Sequence, residues 1–316
     1  MRILITGGFG FIGGRLAQHL TNLGHEITLG TRLLKSSPKW LKTAQVAKTD
    51  WHNPDALAML CKNVDLVIHA AGMNAQDCSS DPASAYLFNG EITKTLAHAA
   101  AKEGVLRFIY LSTAHVYSSP LRGVINEEVI AENKHPYAAS HLEGEQAVYS
   151  CSKIHSIEGI IARLSNVYGA PASPDAQCWS LLTNDLCKQA IQTGELRLNT
   201  NGTQKRDFLD ITSACEMLSF LCEQPINPDK SPIFNLGAGK SQSLVEMAQL
   251  IQERCRVNFG FTPKIYANEQ SISENNSDLI FNIDRICHAG YLVKPNDLNE
   301  IDDLLIFCKK HFSSAA

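Results

Sequence analysis

The sequence lacks the features that mark several classes of protein. It has no excess of basic residues, because 28 Lys and Arg stand against 32 Asp and Glu, for a formal net charge of −4. Such a balance gives no reason to expect binding to nucleic acid. The chain has no run of about 18 apolar residues, the length that a membrane-spanning helix needs. It does not begin with a charged and apolar leader, so we expect no signal peptide and a cytoplasmic protein.

The cysteines lack the spacing of a metal or disulfide framework. There are ten of them, but none forms a C-x-x-C pair. Scattered cysteines in a chain without a leader are typically reduced and often buried. The sequence therefore predicts no metal site and no disulfide. A length of 316 residues with 44% hydrophobic residues is enough for a folded protein of two lobes.

A glycine-rich turn stands between a predicted strand and a predicted helix at the start of the chain. Residues 2–6 are apolar, as a buried strand requires, and apolar residues recur at helical spacing in residues 12–23. Without a Cβ, glycine lets the backbone approach a pyrophosphate, and the first N–H groups of a helix attract its charge. The sequence therefore predicts a ligand with a diphosphate. The turn fits G-x-G-x-x-G at Gly8, Gly10 and Gly13, and G-x-x-G-x-x-G at Gly7, Gly10 and Gly13.

Predicted strands and helices alternate from residue 1 to about residue 168. This alternation predicts an α/β fold with a doubly wound parallel sheet, which binds its ligand at the carboxyl ends of the strands. We therefore assign residues 1–168 to a dinucleotide-binding domain. Its predicted strands cover residues 2–6, 25–30, 45–50, 65–72, 107–112 and 157–164, and its later helices cover residues 83–103 and 136–150.

The pattern changes after Tyr168. We predict a helix at residues 179–193, a short strand pair within residues 195–210 and an amphipathic helix at residues 243–256. A strand at residues 232–237 is predicted to return to the main sheet. Residues 169–316 are therefore predicted to form mainly a smaller C-terminal α+β lobe that binds the substrate.

Further motifs follow the glycine turn in a fixed order. With them the chain resembles the extended short-chain dehydrogenase/reductase family of Rossmann-fold enzymes, which includes nucleotide-sugar epimerases, dehydratases and ketoreductases. The resemblance covers nearly the whole chain and implies an NAD(P)-dependent enzyme that transfers a hydride at a ring carbon of a nucleotide-linked sugar. The motifs are Leu111-Ser112-Thr113-Ala114-His115-Val116-Tyr117, Pro136-Tyr137-Ala138-Ala139-Ser140-His141, Asn166-Val167-Tyr168-Gly169, Lys205-Arg206-Asp207-Phe208-Leu209-Asp210 and Phe234-Asn235-Leu236-Gly237.

The resemblance implies the catalytic residues. Thr113 matches the residue that hydrogen-bonds the reacting oxygen, and Tyr137 matches the tyrosine that gives or takes its proton. A phenol has an unperturbed pKa of about 10, so a general base near neutrality needs a lower value. In the family a lysine four residues after the tyrosine supplies the positive charge. Here that position is His141, and Tyr-x-x-x-Lys has become Tyr-x-x-x-His.

His141 leaves two interpretations open. Helical spacing places it on the same face as Tyr137, where a neutral imidazole would still donate a hydrogen bond to the cofactor ribose. A reductase tolerates this change better, because Tyr137 then acts as an acid. The alternative is a catalytically weak or dead relative that binds dinucleotide as a redox sensor or scaffold.

The two residues after Thr113 bear on the type of reaction. The dehydratases of the family carry an acid pair there, which removes a C5 proton and protonates the leaving hydroxyl. Ala114 can do neither. We therefore expect an epimerase or a 4-ketoreductase and do not expect a dehydratase. His115 is a candidate base that faces the substrate, or else a packed or solvent-facing histidine.

The end of the second predicted strand bears on the cofactor. The NAD-binding pattern has an acidic residue there, but this chain has Gly30-Thr31-Arg32. Arg32 would hold a 2′-phosphate, which favours NADP over NAD, and a solvated arginine is the alternative. The resemblance implies these cofactor-binding residues: Gly7, Gly10, Phe11, Ile12, Gly13, Arg32, Asp50, Ala70, Ala71, Gly72, Tyr137 and His141.

The resemblance also implies substrate and partner contacts. Asn166 and Arg206 match residues that meet the nucleotide diphosphate, although Arg206 could instead pair with Asp207. Asn74 is a candidate for the sugar. A homodimer is expected, with the helices after Ala83 and Pro136 paired as a four-helix bundle, and the sequence leaves a monomer open.

Overall fold

The computed structural model describes residues 1–33, 35–225, 231–268, 278–294 and 299–313. The strands are, in order, β1 (Arg2–Thr6), β2 (Glu26–Thr31), β3 (Gln45–Lys48), β4 (Leu66–His69), β5 (Arg107–Thr113), β6 (Gly123–Ile125), β7 (Glu158–Leu164), β8 (Asn166–Tyr168), β9 (Glu195–Leu198), β10 (Lys205–Asp210), β11 (Ile233–Leu236), β12 (Ser241–Ser243), β13 (Lys264–Ala267) and β14 (Leu279–Phe281). The helices are α1 (Phe11–Asn22), α2 (Pro54–Cys61), α3 (Ala75–Ser80), α4 (Pro82–Ala85), α5 (Thr93–Lys102), α6 (Pro136–Ile154), α7 (Leu182–Thr193), α8 (Ile211–Glu223), α9 (Leu244–Phe259), α10 (Asp284–His288) and α11 (Asn299–Phe312).

Seven strands form one sheet in the order β11-β7-β5-β4-β1-β2-β3, and every neighbouring pair is parallel. The chain moves outward from β1 to β2 and β3, then returns to place β4 on the other side of β1. This reversal confirms the predicted doubly wound sheet and puts its ligand crevice at the carboxyl ends of β1 and β4. β11 lies beside β7, where the sequence predicted a returning strand.

Helices cover both faces of the main sheet. The helices α1 and α8 pack on one face through residues such as Leu16 and Leu218. On the other face, α2, α5 and α6 contribute Leu57, Leu96 and Val148. Because both faces are covered, β4 and β5 are buried along their whole length, as strands of a parallel sheet should be.

The C-terminal lobe has its own core and small sheets. Its core joins α7, α9 and α11, and its strands form the groups β12-β10-β8 and β13-β9. The prediction of a strand pair within residues 195–210 was wrong. Both strands exist, but β9 pairs with β13, and β10 pairs with β8 and β12. The region 169–316 also gives α8 and β11 to the layers of the main sheet. Within the described residues, no helix is both long and apolar enough to cross a membrane.

The helix predicted at residues 83–103 is interrupted. It consists of α4, a π-helical segment at Tyr86–Ile92 and α5. π-Helical turns, whose hydrogen bonds join residues five apart, occur often at functional sites. Here the segment packs against α6, the helix that carries Tyr137 and His141.

Candidate functional site

The glycine turn joins β1 to α1 at the ligand crevice. Gly7 has a φ of +68°, and a Cβ on it would lie 2.8 Å from the backbone of Ala70. A Cβ on Gly13 would lie 2.4 Å from the carbonyl oxygen of Gly7, to which Gly10 donates its N–H at 2.8 Å. The turn therefore needs glycine for close packing against the end of β4 and for its own tight shape.

The start of α1 can receive an anion. In the described part of the chain no side chain caps its first N–H groups, and its first turn carries no acidic residue. The open N–H groups and the positive end of the helix dipole therefore face the crevice without a competing charge. Phe11 is buried and Ile12 packs against the same core, which fixes the direction of the helix.

The three residues assigned to catalysis lie together beside this crevice. Thr113 ends β5, and its side chain is close enough to Tyr137 to lower the pKa of that phenol. The rings of Tyr137 and His141, one turn apart in α6, meet edge to face with their centroids 4.7 Å apart. A Cβ on Gly72 would lie 3.8 Å from Cε1 of His141. The chain segment after β4 thus connects the glycine turn to the Thr113–Tyr137–His141 group.

Both ionisable members of this group are neutral at pH 7. Burial raises the pKa of Tyr137, although the Thr113 side chain lowers it. Burial lowers the pKa of His141 to about 4, and the nearby His115 acts in the same direction. Tyr137 therefore has no imidazolium beside it that would lower its pKa. This differs from the family pattern, in which a charged lysine stands at the position of His141.

A buried tyrosine that the sequence analysis did not single out contacts His141. The hydroxyl of Tyr110 lies 2.9 Å from Nδ1 of His141, and burial raises the pKa of Tyr110 well above its usual value. The same hydroxyl lies 3.4 Å from the carbonyl oxygen of Asn89, which already accepts a hydrogen bond from Thr93 at 2.7 Å. The shorter contact favours donation from Tyr110 to Nδ1.

Asn89 and Gly144 bring the segment after β4 and Tyr110 of β5 into contact with α6. The Asn89 side chain, in the π-helical segment, accepts from the N–H of Met73 at 3.0 Å and donates to Ser140 at 3.0 Å. It therefore ties the segment after β4 to α6. A Cβ on Gly144 would lie 2.4 Å from the Tyr110 hydroxyl, so only glycine lets Tyr110 approach α6 so closely. A glycine inside a helix is a sequence signal that could have indicated this contact.

Two residues assigned to the substrate, Arg206 and His115, interact electrostatically. Burial lowers the pKa of Arg206, and within the described residues no carboxylate forms an ion pair with it. The neighbouring Asp207 is fully buried and instead accepts from Ser165 and from the N–H of Ala238. Burial and the charge of Arg206 lower the pKa of His115 to about 4. The structure thus leaves a cation free for an anionic ligand beside a neutral histidine.

Other residues assigned from the resemblance have local partners or lie at the surface. The side chain of Asn74 caps α3 by accepting from the N–H of Asp77, and it is exposed. Asn166 donates to the carbonyl oxygen of Asp207 at 3.0 Å. Arg32 directly follows β2 and is exposed, and Asp50 is exposed two residues after β3. The roles of these four residues stay predictions.

Comparison with known proteins identifies the family. The profile of the NAD dependent epimerase/dehydratase family matches residues 3–237, more than half of the chain. The chain belongs to this family. The resemblance to the extended short-chain dehydrogenases/reductases is therefore confirmed, and the family includes both epimerases and dehydratases.

Individual relatives are distant and cover most of the chain. The chain is 29% identical over 265 residues to an ADP-L-glycero-D-manno-heptose-6-epimerase of Brachyspira hyodysenteriae, covering 79% of this chain and 80% of that protein. It is 24% identical over 270 residues to a dTDP-glucose 4,6-dehydratase of Streptomyces niveus, covering 81% and 78%. The structure of a UDP-glucuronic acid 4-epimerase from Bacillus cereus, in complex with UDP-glucuronic acid and NAD, superposes with a TM-score of 0.80 at 23% identity and covers 99% of this chain and 100% of that chain.

Proposed function

We propose that the chain transfers a hydride at a ring carbon of a nucleotide-linked sugar, with NAD(P) as cofactor, and that it works best in the direction of reduction. The observation that carries this proposal is the meeting of Thr113, Tyr137 and His141 beside the segment that packs on the glycine turn. The turn follows β1 and Thr113 ends β5, and both lie at the carboxyl edge of the sheet with β4 between them. A dinucleotide held by the turn would therefore lie near Thr113.

The chain's own residues fit a dinucleotide. The close approaches at Gly7 and Gly13 leave bare backbone at the turn, and the start of α1 offers uncapped N–H groups for a diphosphate. The small residues Ala70, Ala71 and Gly72 border the same crevice. When bound, the dinucleotide supplies the hydride in a reduction or takes it in an oxidation.

Tyr137 and Thr113 act on the substrate oxygen. In a reduction the carbonyl oxygen of the sugar gains negative charge, and Tyr137 donates its phenolic proton to it while Thr113 donates a hydrogen bond. Because burial raises the pKa of Tyr137, the residue holds this proton at pH 7. Oxidation would need the phenolate, which this environment disfavours. The site therefore suits a ketoreductase better than an enzyme that depends on the oxidising step.

Tyr110 determines which nitrogen of His141 carries the proton. A neutral imidazole has one donor and one acceptor nitrogen. If Tyr110 donates to Nδ1, as the 2.9 Å contact favours, Nε2 carries the hydrogen and becomes a donor. We propose that this Nε2–H group replaces the lysine as the donor to the cofactor ribose. The replacement supplies a hydrogen bond without a positive charge.

Arg206 is proposed to bind the diphosphate of the substrate. A partly buried guanidinium without a carboxylate partner in the described structure is a ready site for two phosphate oxygens. The effect of the Arg206 charge on the pKa of His115, two residues after Thr113, supports this role. UDP-glucuronic acid is the ligand of one structural neighbour, and the base and sugar for this chain stay open.

NADP is the proposed cofactor in preference to NAD. Arg32 stands directly after β2, at the position where the NAD pattern has an acidic residue, and its exposed side chain is free to turn toward a 2′-phosphate. Replacement of Arg32 by Ala should weaken NADPH binding and leave NADH binding unchanged. Fluorescence titration with both cofactors tests this, and equal weakening of the two would contradict it.

Ala114 bears on the choice between epimerase and dehydratase activity. An alanine after Thr113 supplies neither of the acidic groups that elimination of water needs, so we propose no dehydratase activity, although one relative is a dehydratase. Epimerisation needs both an oxidising and a reducing step, and it is the alternative activity of the same residues. A homodimer through α5 and α6 and a cytoplasmic location are proposed with the function.

One observation favours a second function. A neutral His141 and a raised pKa at Tyr137 are also what a dinucleotide-binding sensor or scaffold without catalysis would tolerate. The test is to mix the protein with NADPH or NADH and with 4-keto and 4-hydroxy nucleotide sugars of different bases. A reductase consumes reduced cofactor, whereas an epimerase changes the sugar without net change in absorbance. Cofactor binding without either product would support the second function.

A further inference from the structure

A second group of chemically reactive side chains lies away from the crevice, where α5 and the end of α6 meet. His98 belongs to α5, Cys151 lies in the last turn of α6, and His155 is the C-cap residue of α6. Their ligand atoms all lie within 4.8 Å of one another in the described structure. The proposed catalytic chemistry uses none of the three residues.

We propose that His98, Cys151 and His155 form a binding site for a zinc-class transition metal ion. Cys151 and His155 stand four residues apart and therefore project from the same face of α6. His98 adds a third ligand from the neighbouring helix. Two imidazoles and a thiolate are a donor set that zinc prefers, with the fourth tetrahedral position open to water.

The geometry of the two histidines matches coordination. Nδ1 of His98 lies 3.2 Å from Nε2 of His155, and the ring planes stand at 89° with centroids 5.2 Å apart. Two nitrogens bound to one tetrahedral zinc ion at 2.0–2.1 Å would lie about 3.3 Å apart. The distance between the two nitrogens, which also form a hydrogen bond with each other, therefore matches that of two imidazoles on one ion. The sulfur of Cys151 lies within 4.8 Å of a ring nitrogen of each histidine.

The surroundings of the group have opposing effects on a bound cation. Lys94 is a nearby positive charge, which opposes a bound cation. The carbonyl end of the α6 dipole favours a positive charge at its C-cap. The ion must displace a proton from the sulfur of Cys151, because the thiolate is the form that binds metal. Binding is therefore expected to weaken at lower pH.

The sequence predicted no metal site because its cysteines form no C-x-x-C pair. The three residues come from two helices, and His98 and Cys151 are 53 positions apart, so only the packing of α5 on α6 brings them together. A metal ion here would cross-link the two helices. Because it binds the folded chain, it should raise the melting temperature.

Cobalt provides a direct test, since Co²⁺ bound to thiolate has a charge-transfer band in the near ultraviolet. We expect the reduced full-length protein to bind one Co²⁺ per chain with this band, Zn²⁺ to displace it, and Zn²⁺ to raise the melting temperature. Cys151→Ser should lose the charge-transfer band, and His98→Asn should lose tight binding. Cys61→Ser is the matched control, because Cys61 is fully buried in the same hydrophobic cluster and lies outside the group.

Circular dichroism of each variant separates loss of ligand from loss of fold, and His98→Asn changes only a partly exposed side chain. The proposal is overturned if the folded wild-type protein fails to bind Co²⁺, or if Cys151→Ser keeps the charge-transfer band of the wild type. It is also overturned if binding occurs at half an ion per chain together with a larger species in size-exclusion chromatography, because the metal would then bridge two chains.

Discussion

The glycine turn and the Tyr137–His141 pair lie in the same crevice but depend on different kinds of contact. At the turn, the requirement for Gly13 is local, because a Cβ there would lie 2.4 Å from the carbonyl oxygen of Gly7, whereas Gly7 itself also packs against the backbone of Ala70 after β4. At the pair, the decisive partner of His141 is Tyr110, which comes from β5 and reaches α6 only because Gly144 has no side chain. The turn therefore depends mainly on its own motif, with one close contact to the end of β4, whereas the pair depends on packing between β5 and α6.

The largest effect is expected at the turn. Gly13→Ala places a Cβ 2.4 Å from the carbonyl oxygen of Gly7, and this backbone atom cannot move without opening the turn. We expect loss of cofactor binding and a loss of about 1–3 kcal/mol in the free energy of unfolding. Isothermal calorimetry and denaturant titration measure both. Gly104→Ala is the control, because its φ of +78° also strains an alanine while a Cβ there meets no atom within 4 Å, so this variant should lose stability and keep cofactor affinity. Equal cofactor affinity in the two variants would contradict the account.

The next effect concerns Tyr137. Tyr137→Phe removes the proton donor and keeps the ring that packs against His141. Turnover should fall by about 10²–10⁴-fold, the usual contribution of a general acid, while cofactor affinity stays within a few-fold. Steady-state kinetics measure the turnover of both proteins with the nucleotide sugar that the wild type converts. Cofactor titration measures their affinities. Unchanged turnover would exclude Tyr137 as the proton donor.

A third effect is a dependence of stability on pH that His141 produces. Its pKa is about 4 in the folded chain and about 6.5 when unfolded, so the unfolded state binds more protons between these values. Its contribution is complete above pH 6.5 and is lost as the pH falls toward 4. Relative to His141→Gln, the wild type should lose about 3 kcal/mol over this window. Urea titrations at several pH values test this, and parallel curves would show that His141 is not held neutral.

The smallest effect is expected at Tyr110. Tyr110→Phe leaves Nδ1 of His141 without its donor, at a cost of about 1–3 kcal/mol for a buried polar group. If Tyr110 also sets the tautomer, the KM for the cofactor should rise and the pH profile of turnover should shift. Tyr149→Phe, on the exposed side of α6, is the control. A variant with altered stability and unchanged kinetics would limit Tyr110 to a structural role.

The sequence was sufficient for the parts of the fold that depend on neighbouring residues. The β1–turn–α1 unit and the positions of the main-sheet strands along the chain followed from short apolar runs and glycine spacing. The pairing of β9 was predicted wrongly because its partner β13 lies more than 60 residues further along the chain. Arg15 binds Glu300 at 3.1 Å and thereby joins α1 to α11, a contact between residues 285 positions apart that no local pattern contains.

The same reasoning explains the candidate site. Thr113, Tyr137 and His141 were assigned because their motifs are short and continuous. Tyr110, Asn89 and Gly144 were missed because their roles arise only when β5, the π-helical segment and α6 pack together. A neutral donor at His141 was one interpretation of the sequence, and the packed structure adds the burial and the Tyr110 contact that support it.

Nitrogen-15 NMR of histidine-labelled protein at pH 7 tests the central claim most directly, with His141 assigned by comparison with His141→Gln. The account predicts a neutral ring with its hydrogen on Nε2, and a change in the Nε2 signal when NADPH or NADH is added. A doubly protonated ring, or a hydrogen on Nδ1 that cofactor leaves unaffected, would contradict it.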